Sequence, residues 1–201
     1  MEARQYAVAR REQRAVHDQV TATSPVASPP QPRHSASAME KDSATPPTGS
    51  GGHGRDFPEL PAKLRQAIMD RFNVDNPFFP GYLGFHLTEV RRGYARLEVE
   101  GREALNNPSG VMHGGASFGL ADTAVAAALV SIYGGGSALL TIEMKINYLE
   151  PIFPGRVTAE AYVLRSSRRS AYAEVDIWAA GKLAARASTT YMIKPIEVVK
   201  S

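Results

Sequence analysis

One carboxylate, Asp122, stands in the middle of the most apolar stretch of the chain, Gly114 to Tyr133. An ionised group among such neighbours needs hydrogen-bond partners or a reaction to serve. Nine residues before it comes His113, followed directly by Gly114 and Gly115. If the stretch is helical, these glycines open it. Its first backbone N–H groups then lack partners, and the positive end of the dipole points outward. Without side chains, the glycines let a carbonyl come close as it turns into an oxyanion. Asp122 supplies a base or nucleophile for such a carbonyl. A single helix does not bring both parts to one atom, because Gly114 and Asp122 lie about 12 Å apart along the axis. Two antiparallel helices of a symmetric dimer do, each lending its N-terminus to one site and Asp122 to the other. The residues therefore predict carbonyl chemistry in a site shared between two copies.

Competing readings of the same stretch are weaker. Gly115-Ala116-Ser117-Phe118-Gly119 matches the nucleophile-elbow string of serine hydrolases, which needs a preceding strand and a later His. No histidine follows His113, and Ser117 falls inside the helix. The stretch is also long enough to span a bilayer. Asp122 at its midpoint, the flanking glycines and the missing Lys/Arg clusters argue for a buried helix and for no membrane partner. The chain carries a net charge of only +3, with scattered basic residues, so nucleic acid is not an expected partner. With no cysteine, disulfides and thiolate chemistry are excluded, and a cytoplasmic location is expected.

The 201 residues suggest one ordinary domain plus an appendage. Residues 1–56 read as a disordered extension rich in Pro, Ser, Ala and Gly, too poor in large apolar residues to offset ordering entropy. Met39 is a second candidate start, and His17, His34 and His53 read as solvated. From residue 57 the pattern becomes that of a folded domain. Leu60 to Phe72 has helical spacing, and Asn76 to Gly81 breaks it. Tyr82–Val90 and Tyr94–Val99 alternate as strands, with His86 packing in the first of them. Gly101 to Gly110 is a loop. After the central helix come four more alternating runs, Ala138–Tyr148, Gly155–Arg165, Ser170–Trp178 and Lys182–Ile193, whose short links predict antiparallel neighbours. The expected fold class is α+β: about six antiparallel strands wrapped around one long helix.

The pattern Asn107-x5-His113-Gly114-Gly115-x4-Leu120-x-Asp122, followed by Thr141-x-Glu143-Met144-x-Ile146-Asn147-Tyr148-Leu149-x-Pro151, resembles the hotdog-fold acyl-CoA thioesterases, most closely their phenylacetyl-CoA-type (PaaI-like) branch. The resemblance runs from about Pro77 to Ile193. It implies a homodimer or a tetramer of two dimers, and hydrolysis of an aryl- or medium-chain acyl-CoA with no metal or other cofactor. By position, Asp122 is the implied catalytic carboxylate. Asn107 and the Gly114 N–H are implied to polarise the thioester carbonyl, Thr141 to hold the attacking water, and His113 to shape the loop.

Gly115 and Phe79 join these as substrate-binding candidates, with Phe78, Tyr82 and Leu83 beside Phe79 in an apolar slot. Arg165, Ser166 and Arg168, in the turn ending at Arg169, suit CoA phosphates because guanidinium forks fit them. Plain roles compete: Asn107 before Pro108 suits a turn, Thr141 suits any strand, and the arginine turn suits solvent. Two other functions fit the same fold. One is a non-catalytic acyl-CoA sensor, although the N-terminal segment lacks the periodicity of a DNA-binding head. The other is an enoyl- or hydroxyacyl-thioester hydratase using His113 with Asp122.

Overall fold

The computed structural model describes residues 56–73 and 78–196. The expectations for residues 1–55, including Met39 and the early histidines, lie outside the described residues. Helix α1 (Ala62–Asn73) and the short helix α2 (Phe79–Leu83) come first, then strands β1 (His86–Arg91) and β2 (Tyr94–Glu100). Helix α3 (Gly114–Tyr133) follows, and then β3 (Ser137–Tyr148), β4 (Arg156–Ser166), β5 (Ser170–Ala179) and β6 (Lys182–Pro195). The strands form one antiparallel sheet in the order β1-β2-β4-β5-β6-β3. α3 lies across its concave face, the arrangement that the family resemblance implies.

Alanine makes the close fit. Ala121, Ala124, Ala127 and Ala128 of α3 share one core with Ala159 and Ala161 of β4, Ala171 and Ala173 of β5, and Ala185 and Ala187 of β6. Small residues on both surfaces let a 20-residue helix sit deep against a sheet that curls round it. All twelve buried residues of α3 are small or apolar, the hydroxyls of Ser117, Thr123 and Ser131 included. The stripe Gly115, Phe118, Asp122 and Ala126, at helical spacing, stays at least partly open. α3 is also long and apolar enough to cross a membrane by length and composition, but most of its surface is packed inside the domain.

Three local expectations change. Tyr82–Gly84 is not strand. Pro80 near the start of α2 and Gly84 in the left-handed region (φ 78°) close one helical turn instead, and the strand begins at His86. His86 is exposed rather than packed. β3 does not pair with its successor β4. The Pro151–Pro154 link carries the chain away, and β3 pairs with β6 alone, which leaves its other side as a free sheet edge.

The convex face holds a buried polar knot. The Glu160 carboxylate accepts from Tyr94 Oη (2.9 Å), Tyr162 Oη (3.0 Å) and Arg96 Nη2 (2.6 Å). Burial, then the Glu160 charge, hold the Tyr94 and Tyr162 phenols above their ordinary value. Tyr191 is raised as well, by burial and then by Asp122. A phenol whose folded pKa is raised adds no pH dependence below the unfolded value of about 10, and loses its contribution as pH climbs past it. Urea midpoints are therefore expected to be level to about pH 9 and to fall above pH 10. Each of these tyrosines removes about 1.4 kcal/mol per pH unit. A midpoint unchanged at pH 11 would contradict this.

Candidate active site

Asp122 sits on the open stripe of α3, and two strands reach it. β3 and β6 are in register with Thr141 opposite Tyr191. A β-bulge follows Thr141 directly, between it and Glu143. Bulges re-aim side chains, and here Thr141 on one side and Glu143 on the other make separate contacts. Thr141 Oγ1 donates to Asp122 Oδ1 at 2.9 Å. Tyr191 Oη donates to the same Oδ1 at 2.5 Å and lies 3.1 Å from the Asp122 backbone oxygen. Glu143, beyond the bulge, accepts from Thr190 Oγ1 at 2.9 Å instead.

The helix start is built as tightly. His113 is the N-cap, its Nδ1 accepting from the Gly115 N–H at 2.9 Å. An accepting Nδ1 places the neutral ring's proton on Nε2. This takes up the Gly115 amide, so Gly115 offers substrate its open space rather than a donor. Among the described residues no acceptor is recorded for the Gly114 N–H, and it stays the open donor of the first turn. Tyr148 Oη donates to the Gly114 carbonyl at 2.8 Å. A Cβ at Gly114 would lie 2.9 Å from that Oη and 3.0 Å from Tyr148 Cζ, and one at Gly115 would lie 3.0 Å from His113 Nδ1. Both glycines are therefore fixed by close approach.

Asn107 is a turn residue, and that sets its direction. Its Oδ1 accepts from the Ser109 N–H at 2.9 Å, while its own N–H bonds Val111 O at 2.8 Å. With Oδ1 used in the turn, Nδ2 is the group free to donate, as a carbonyl-polarising amide requires. The turn contact leaves the amide nitrogen available for a site role.

Phe79 packs over the helix, its ring 3.0 Å from where a Gly119 Cβ would stand, and edge-on to Phe85. Phe78, Phe79 and Tyr82 are largely exposed beside it. The arginine turn lies at the other end of α3, where Tyr133 Oη donates to Ser167 O at 2.7 Å. Arg165, Ser166 and Arg168 are exposed there. Ser117 is buried within the first turn of the helix, which removes the elbow reading.

The structure thus brings Asp122 and Thr141 together, and His113 with Gly114 and Gly115, but within one chain these groups stay about 12 Å apart along the helix. Sequence reasoning missed Tyr191 and the contact of Tyr148 with Gly114. The alternation Ala185, Ala187, Thr189, Tyr191, Ile193 marks Tyr191 as facing the helix, yet nothing in it singles out a hydroxyl.

A profile of the thioesterase superfamily matches residues 109–185. A Saccharolobus solfataricus protein provisionally named an esterase is 30% identical over 137 residues, spanning 64% of this chain and 91% of that one. The chain belongs to the thioesterase superfamily. Among solved structures, a conserved protein of Pseudomonas aeruginosa is 30% identical, with a TM-score of 0.58 over 66% of this chain and 99% of that one. A variant of the phenylacetic acid degradation protein PaaI of Thermus thermophilus is also 30% identical, with a TM-score of 0.53 over 57% and 96%. This thioesterase has their PaaI-like hotdog architecture and is an enzyme of the thioester-hydrolase class.

The close approach at the helix start yields a test. Gly114→Ala in this thioesterase forces Tyr148 aside, while alanine itself favours the helix. We expect kcat/KM to fall about 10- to 100-fold with a melting temperature within a few degrees of the parent, since transition-state contacts respond to small misplacements. Unaltered kinetics would show that this end of the helix takes no part.

Proposed function

We propose that this thioesterase hydrolyses an aryl- or medium-chain acyl-CoA to free acid and CoA, in a site shared by two copies of the chain. Asp122 acts as general base or nucleophile, and the Gly114 N–H with Asn107 Nδ2 receives the developing oxyanion. The observation that carries this is a carboxylate held by two hydroxyls on the open stripe of an otherwise buried helix. As a base, Asp122 takes a proton from water, the water oxygen bonds the thioester carbon, and the C–S bond breaks as the thiol leaves with a proton. Thr141 Oγ1, its own proton given to Asp122, accepts a hydrogen of that water.

Edge geometry supports the two-copy site. β3 is a twelve-residue strand with one unpaired edge, and Leu140, Ile142 and Tyr148 are exposed along it. Thr141 marks the Asp122 level of this strand and Tyr148 the Gly114 level. Antiparallel self-pairing of β3 about a point near Lys145 sets Thr141 of one copy across from Tyr148 of the other. Asp122 of one copy then faces Gly114 of the second, closing the 12 Å gap (estimated from about 1.5 Å per residue) that one chain leaves. Exposed Phe118 on the stripe and Phe79 beside it suit an apolar acyl group.

The arginine turn suits the nucleotide end of the substrate. Tyr133, which holds it, is eleven residues past Asp122, about 16 Å along α3 and on nearly the same face. That is a distance an extended pantetheine arm spans. Arg168→Glu is expected to raise KM for acyl-CoA about tenfold, with little change for the same acyl group on a short thiol, measured by thiol release.

The main test is free-CoA release across a panel of acyl-CoAs. Asp122→Asn is expected to lower kcat about 100-fold or more. Tight binding without release would favour a sensor, and turnover of enoyl or hydroxyacyl groups a hydratase. Co-refolding Asp122→Asn with Asn107→Ala should restore about a quarter of parental activity, since half the dimers then carry one intact site of two. No recovery would place the whole site within one chain.

A further inference from the structure

The role of Tyr191 is not assigned by any of the matching motifs, and its hydroxyl lies at the centre of the site. We propose that Tyr191 is a positioning residue that divides the Asp122 carboxylate into a held oxygen, Oδ1, and an acting oxygen, Oδ2. The assignment rests on the reading of Asp122 as the acting carboxylate.

A carboxylate on an open helix stripe has two free torsions and two equivalent oxygens, so by itself it presents no fixed atom to a substrate. Here both protein hydroxyls fall on one oxygen. Thr141 Oγ1 at 2.9 Å and Tyr191 Oη at 2.5 Å both donate to Oδ1, one donor for each of its two lone pairs. Tyr191 adds a second contact to the same residue's backbone oxygen at 3.1 Å, so one hydroxyl spans side chain and main chain and fixes the rotamer. Among the described residues no donor to Oδ2 is recorded. That leaves Oδ2 with both lone pairs for water or for the acyl carbon.

Tyr191 is suited to hold without reacting. It is buried in β6 and faces Thr141 across the ladder. Burial and the neighbouring charge keep its proton in place over the working pH range. It therefore remains a donor while Oδ2 acts. Thr141 sits on the exposed edge strand, so its hydroxyl is shared with solvent. Tyr191 is the anchored member of the pair.

The test is Tyr191→Phe, alone and combined with Asp122→Asn, in the full-length protein, with CoA release from one good substrate of the panel. Phenylalanine keeps the ring in its buried place and removes only the hydroxyl. The expected result is a 10- to 100-fold loss in kcat with KM within twofold. In the Asp122→Asn background the same change should have almost no further effect, because the oxygen it positions has already been altered.

A Tyr191→Phe variant with parental kcat, beside an inactive Asp122→Asn, overturns the role of Tyr191 and leaves the carboxylate mechanism standing. Equal and additive losses in both backgrounds also overturn it, since a purely structural tyrosine behaves that way. Full activity in both single variants overturns this inference and the Asp122 mechanism together. If Tyr191→Phe is destabilised, kcat is taken per folded molecule, with the folded fraction read by circular dichroism, and the same loss in kcat without a change in KM is expected.

Discussion

The structure depends on keeping one charge in the middle of a helix that is otherwise packed in hydrocarbon. Asp122 is tolerated because it lies on the only stripe of α3 that the sheet leaves partly open, and because Thr141 and Tyr191 both donate to it. Either condition alone would be costly: a covered stripe would desolvate the carboxylate, and an unheld one would let it wander. The bulge in β3, the register of β3 on β6 and the rotation of the helix all serve that placement.

The rest of the fold follows from how close the helix must come. Alanines of the helix and of the sheet share the helix–sheet core, and Gly114 leaves room for Tyr148 to reach the first turn from the edge strand. The edge strand thereby touches both chemically distinct points of the helix, Gly114 through Tyr148 and Asp122 through Thr141. A single twelve-residue strand therefore contacts the start and the middle of the helix. That strand, more than the helix, sets the spacing within the candidate site.

Much of this was legible from the residues. The apolar run with one acid predicted α3 with its limits, and period-two alternation predicted the six strands to within a few residues. The departures have physical causes. Tyr82–Val90 alternates like a strand, but Pro80 and Gly84 bracket one helical turn that alternation cannot register. The pairing of β3 with β6 rather than β4 depends on where the Pro151–Pro154 link sends the chain, a non-local outcome. Tyr191 stayed hidden because a strand aromatic facing a core looks alike with or without a partner for its hydroxyl. Asn107 was read as either a turn or a site residue. The structure shows the turn contact, which orients the amide and does not exclude a site role.

The two borders of the sheet are unlike. β1 is only six residues long, and short edges discourage strand addition. β3 is twice as long, with Leu140, Ile142 and Tyr148 along a ladder whose outer amides face solvent in a lone protomer. Such a border is a template for any extended peptide. Its sequence thus carries a standing hazard of misassembly during synthesis, before chains reach the concentration at which they find one another. The only charges on it are Glu143, tied to Thr190, and Lys145, so that lysine is left as the strand's chief gatekeeper.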